Sequence, residues 1–189
     1  MDKDIENSFF EYWSNKRIWF DHFEKLIQSG ISLSAHSIHG WGDQLFRMLR
    51  FQERALKSTD EEEILDFTIA FFQNCYHLKD WVPIFENIEN SVWQKKWQSF
   101  TEQNESIRFC RDICNGTKHL KLKNASVDAY FSIYRGFEEL EGYEDGKFVG
   151  WYLLAGDKRI SLNELMDNCV DAWKVFLKKE IIDNPSVLE

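Results

Sequence analysis

The chain has 189 residues, of which 43 % are hydrophobic, 29 % charged and 16 % aromatic, with only two prolines and nine glycines. That profile is of a folded protein rather than a disordered or membrane one, and the length suffices for one substantial core. The net charge of −9 sets the whole-molecule field against the phosphate backbone, which excludes generic polyanion binding and leaves open only a local basic site.

The opening, MDKDIENSFFEYW, is acidic and polar where a secretory signal would be basic and then apolar, and no window is apolar enough for a membrane span. A cytoplasmic protein without a membrane partner is the expectation. In residues 5 to 28, Phe9, Trp13, Phe20, Phe23 and Ile27 form an apolar stripe at helical spacing, ended by Ser29-Gly30. A polar linker carrying His36, His39 and Trp41 follows, and surface exposure is the ordinary expectation for its histidines. A second helix is predicted from about Gly42 to Lys57 through Leu45, Phe46, Met48, Leu49 and Ala55.

Thr59 and Glu62 have the spacing of a capping box, with Asp60 and Glu61 suited to the positive end of a helix dipole. The helix they open should stop at Trp81 or Val82, before Pro83. It is apolar nearly all round, but Asp66, Gln73, His77 and Asp80 fall within an arc of roughly 60° on a 3.6-residue wheel. A central helix with a narrow polar seam is implied. Residues 90 to 102 read as a shorter helix presenting Val92, Trp93, Trp97 and Phe100. The next, from about Glu105 to Lys118, carries Ile107, Phe109, Cys110, Ile113 and Cys114 on one side, with Arg108, Arg111, Asp112, Asn115 and His119 on the other. Gly116 marks its carboxyl end.

After Lys123 the pattern changes. AYFSIYRGF is rich in β-branched and aromatic residues, and the Asp145-Gly146 signal predicts a tight turn between LEGY and FVGWYLL. Two or three antiparallel strands are expected in an insertion over about 128 to 160. Ser161 and Glu164 then open a last helix whose buried stripe is Leu162, Leu165, Cys169, Ala172, Trp173 and Phe176. The fold class is therefore mainly α: one domain over residues 1–189, a bundle of five to six helices with a small antiparallel hairpin or three-stranded sheet before the C-terminal helix.

The four cysteines, at 75, 110, 114 and 169, should be reduced in a cytoplasmic protein. Cys110 and Cys114, four apart on a helix, could suit a metal, but no CxxC or HxxxH accompanies them, so they read as small apolar core residues. No metal or other cofactor is expected.

Two polar seams need partners, because an unsatisfied buried polar atom costs about 1–3 kcal/mol. The seam of His77 and Asp80 is expected to meet the face of Arg108, Arg111, Asn115 and His119, with an arginine forking onto Asp80 or Asp66. Two readings compete. In one, the network fixes helix register. In the other, it lines a cleft in which His119 is general acid or base and Arg108 or Arg111 steadies a phosphate-like charge, with Asn115 orienting a hydroxyl. Basic residues Arg108, Arg111, Lys118, Lys121 and Lys123 face only Asp112 there, so a polyanion would meet the chain along 108–123.

The stretch RDICNGTKH resembles the signature of HEPN domains, helical proteins of bacterial toxin–antitoxin and defence systems, with a longer interval between arginine and histidine. The resemblance implies a homodimer in which Arg111 and His119 cleave RNA without a metal, Asp112 holding the polar position. CYHLKDW paired with RDICNGTKH is also similar to a combination in bacterial proteins of mobile or phage-associated origin, over roughly residues 60 to 120, and implies no activity. The first functional reading is a bacterial helical interaction or small-ligand-binding module, with His77, Asp80, Arg108, Asn115 and Lys118 as ligand-binding candidates. The alternative is a HEPN-like RNA- or nucleotide-binding protein, a metal-independent ribonuclease through Arg111 and His119. Whether the chain is an enzyme is left open.

Overall fold

Apolar side chains at helical spacing need a partner surface, and here helices supply it to one another in a computed structural model that describes residues 40–116, 132–138, 147–155 and 158–183. The predicted helix over 5–28, His36 and His39, the segment containing Lys118 and His119, the turn at Asp145-Gly146 and the tail from 184 lie outside the described residues.

Helix α1, Trp41–Lys57, begins one residue earlier than expected. Trp41 belongs to the core rather than to a polar linker: it is fully buried, and its indole Nε1 donates to the buried carboxylate of Glu86. A Trp offers a large apolar body and one donor, so a buried acceptor is enough to draw it inward. Leu45, Met48 and Ala55 share its face, whereas Phe46 is turned outward.

Helix α2, Glu61–Phe85, is capped by Asp60, whose Oδ1 accepts from Glu63 N at 2.9 Å. The capping register is therefore one residue later than the Thr59–Glu62 box. The larger correction is at the other end, where the helix runs through Pro83 to Phe85. Proline has no N–H, so the carbonyl of Lys79, four residues earlier, loses its usual helical donor. Trp93 supplies the replacement: its Nε1 donates to Lys79 O at 2.6 Å. A tertiary bond thus offsets part of what normally ends a helix at proline.

Helix α3, Asn90–Gln103, and helix α4, Glu105–Gly116, are separated only by Asn104, whose Nδ2 donates to Phe100 O at 2.7 Å. Trp93, Phe100, Ile107, Phe109, Cys110, Ile113 and Cys114 are buried, as their spacing implied, while Val92 is exposed.

Strands β1, Ser132–Glu138, β2, Lys147–Ala155, and β3, Lys158–Ser161, form an antiparallel sheet in the order β1-β2-β3. β2 pairs with the AYFSIYRGF segment, from Ser132 opposite Leu154 to Glu138 opposite Lys147. LEGY lies outside the described residues. The register shifts after Gly136, opposite Gly150, whose φ of 142° is a backbone state that L side chains resist. β3 lies beyond Ala155 and leads directly into α5, Leu162–Leu177, so that buried Leu153 and Leu162 tie the sheet to that helix. Ser161 occupies the cap position of α5, but its side chain makes no capping bond. A π-helical turn, Lys178–Ile182, follows.

The buried faces of the five described helices and Leu153 join in one hydrophobic cluster. Its densest part is aromatic: Trp97 stacks on Trp173 at 5.5 Å between ring centroids and Phe100 on Phe176 at 4.2 Å, with Trp93 against Phe176 at 5.7 Å. These pairs weld α3 to α5.

Candidate functional site

The polar seam of α2 is arranged along its own helix. His77 Nδ1 lies 3.3 Å from Asp80 Oδ2, and Lys79 Nζ lies 2.5 Å from the other oxygen of Asp80. His77 and Asp80 side chains are 35 % and 51 % exposed, so water reaches this pair. Asp66 is exposed as well.

On α4, Arg111 Nε donates to Asp112 Oδ1 at 2.9 Å, and Asp112 is buried. The aspartate that takes this arginine is therefore its sequence neighbour rather than Asp80 or Asp66. Arg108 turns back and donates from Nη1 to Glu102 O at 3.1 Å. Asn115 is half-buried near the end of α4. Among the described residues, then, the expected Arg–Asp80 fork is replaced by local pairs on each helix. A carboxylate three residues from a histidine, or adjacent to a lysine, is reached at little entropic cost, and this proximity wins over a long-range fork.

A concave feature lies elsewhere, between α3, α4, α5 and β3, where a cleft of about 1060 Å³ opens. Phe100, Phe109 and Phe176 give it an aromatic floor, with Ile160, Leu165 and Ala172 beside them. Four lysines, at 95, 96, 158 and 179, and four carboxylates, at Glu105, Glu164, Asp171 and Glu180, line it. Lys158 pairs with Glu105 and sits 5.8 Å from the centre of the Phe109 ring. Lys96 pairs with Glu180, which Lys179 also approaches at 3.3 Å.

Glu180 sits on the π turn, a backbone irregularity often found where a side chain must be aimed at a site. Partial burial opposes its ionisation, but the ammonium groups of Lys96 and Lys179 outweigh that and hold its carboxyl below the usual range. The lining thus sets three large rings among charged groups of both signs.

A third constellation was hidden in the core. Cys75 of α2, Cys110 of α4 and Cys169 of α5 bring their sulfur atoms within 4.8 Å of one another, all fully or almost fully buried. Cys110 Sγ donates to Phe72 O and Cys169 Sγ to Ser106 O, each at 3.4 Å. Burial pushes the Cys75 and Cys110 thiols well up. For Cys169 burial acts in the same direction but is overcome by the thiols of Cys110 and Cys75 and by the Ser106 hydroxyl, which bring it down to about 5. Among the described residues this is the one group of histidine, cysteine or carboxylate side chains placed to hold a metal ion. Cys114 is buried outside the triangle.

Comparison with known proteins finds no match: no family model, no curated protein and no solved structure matches the chain. Among the described residues no helix is long and apolar enough to cross a membrane. The functional reading accordingly rests on the geometry. Sequence reasoning did not find this cleft, whose lining comes from three helices, a strand and the π turn spread over residues 95 to 180. The signal within reach was the charge alternation on α3 and α5 beside Phe100 and Phe176. Nothing in the spacing of 75, 110 and 169 indicated that three cysteines would meet.

Proposed function

We propose that the chain is a binding module whose cleft between α3, α4, α5 and β3 takes a small amphipathic ligand with an aromatic body and polar groups of both signs. The observation that carries this reading is the lining: an aromatic floor under equal numbers of lysines and carboxylates. Rings bury apolar area and stack, while paired charges at the rim reward a zwitterion and give no advantage to a polyanion. The overall acidity of the chain acts in the same sense. Calorimetric titration with zwitterionic aromatic dipeptides, beginning with tryptophyl-phenylalanine, tests it. Saturable binding is expected, with loss of affinity of tenfold or more in Ser99→Trp, which fills the cleft from an exposed position on α3. Absence of binding across the dipeptides, or undiminished binding to Ser99→Trp, would overturn the proposal.

A second reading, a HEPN-like ribonuclease or nucleotide-binding homodimer acting through residues 108–123, is supported by the orientation of Arg111. Its Nε is fixed by buried Asp112 near the carboxyl end of α4, and His119 follows in sequence. Cleavage of RNA that disappears in both Arg111→Ala and His119→Ala is its test, and activity retained in both variants excludes it.

A further inference from the structure

We propose that Cys75, Cys110 and Cys169 form a closed trithiolate site for a single soft metal ion of the Cu(I) class. The three residues come from three different helices, α2, α4 and α5, yet their sulfurs converge within 4.8 Å. A metal–thiolate bond of about 2.3 Å at the centre of a trigonal set requires sulfurs about 4.0 Å apart, so each sulfur needs to move inward by roughly 0.5 Å or less. Rotation about χ1 within an existing well supplies a shift of that size. Convergence without covalent linkage is the arrangement a metal requires.

A second, independent observation points to the same centre. Trp173 is fully buried, and its indole N–H is one of two buried side-chain polar atoms without a hydrogen-bond partner among the described residues. That N–H lies near the Cys75 sulfur but outside hydrogen-bonding geometry. A thiol offers a weak acceptor, whereas a metal-bound thiolate is a strong one, so loading the site would give this orphaned donor its partner. Removing an unsatisfied donor from the core favours the loaded state.

The class of ion follows from the donor set and its closure. Three sulfur ligands select soft ions. Structural zinc is held by four protein ligands, and catalytic zinc completes its shell with water. Among the described residues no fourth histidine, cysteine or carboxylate joins the three, and the sulfurs are buried. A three-coordinate ion fits such a pocket, and Cu(I), which needs no fourth ligand, is the biological ion of that kind. Each coordinating thiol gives its proton to solvent and an electron pair to the metal, and the ion arrives and stays as Cu(I), so no electron is exchanged. Access is short. Ser106, whose carbonyl accepts from Cys169, also lines the cleft, so one backbone segment separates the cleft from the sulfurs.

The test uses the full chain, reduced under anaerobic conditions and titrated with Cu(I) against a colorimetric Cu(I) chelator. One equivalent of copper should be retained, with near-ultraviolet thiolate-to-copper charge transfer and an X-ray absorption spectrum showing a three-sulfur shell. Cys75→Ser, Cys110→Ser and Cys169→Ser should each weaken retention at least a hundredfold, while Cys114→Ser, outside the triangle, retains copper as the parent does. The wild-type titration stands even where a variant fails to fold. No retained copper in the wild type, a shell containing nitrogen or oxygen, preferential retention of Zn(II), or equal loss in Cys114→Ser would overturn the assignment.

Discussion

Replacing Trp93 by Phe isolates the bond that carries α2 through Pro83. The substitution keeps a ring against Phe176 but removes the Nε1 donor that sits 2.6 Å from Lys79 O. That carbonyl cannot recover a helical partner, because the residue four positions later is proline. An orphaned carbonyl costs about 1–3 kcal/mol, and the smaller ring at a site that is almost fully buried adds about 1 kcal/mol. A total loss of about 2–4 kcal/mol is expected. Pro83→Ala changes the outcome, since an alanine N–H at 83 can close the bond to Lys79 O. In that background Trp93→Phe should cost about 1–2 kcal/mol less, a coupling larger than the error of a double-mutant cycle. Urea denaturation of the four proteins, read as shifts of midpoint at constant m-value, measures it. If Trp93→Phe costs the same in both backgrounds, the indole does not replace the missing amide and the account of α2 is wrong.

The remaining expectations are briefer. Asp60→Ala should destabilise by about 1 kcal/mol through loss of its bond to Glu63 N, whereas Thr59→Ala stays within about 0.5 kcal/mol, and thermal melts of the pair distinguish the two capping registers. His77→Ala and Asp80→Ala should each cost no more than about 1 kcal/mol by denaturant titration, because their pair is solvated rather than buried, and a loss of 3 kcal/mol would show otherwise. Glu180 has a folded pKa below its ordinary 4.5, so its contribution to stability is complete above that value and is lost as pH falls through the lower folded one. Melting temperatures taken downward through the acid range should therefore fall less steeply in Glu180→Gln than in the parent, and parallel curves would remove Glu180 from the linkage.

Much of the helical architecture was legible because local rules and burial agree. The stripe Leu162, Leu165, Cys169, Trp173 and Phe176 is buried as its spacing required, α1 and α3 begin and end within a residue or two of where pattern and cap signals placed them, and α4 begins at Glu105 as expected. The failures occur where a distant residue overrides a local rule. Pro83 does not end α2 because a tryptophan ten positions later satisfies the carbonyl it strands. Trp41 leaves its polar surroundings because Glu86, forty-five residues on, offers a buried acceptor. His77 and Asp80 were correctly read as a polar seam, and the two pair with each other one helical turn apart, while the arginine expected on Asp80 takes Asp112 instead. The cleft and the cysteine triangle were beyond periodicity altogether. Both depend on how separate helices are set against one another, which a one-dimensional pattern does not encode.

The claim that the cleft is the binding site is tested most directly by amide chemical-shift mapping of the full chain titrated with tryptophyl-phenylalanine. Shifts concentrated at Ser99, Phe109, Ile160 and Ala172, absent from the outward face of α1 around Phe46 and Arg50, and abolished by Ser99→Trp are the expected result. Shifts centred on α1 or on the His77–Asp80 seam, or none at saturating dipeptide, would contradict it.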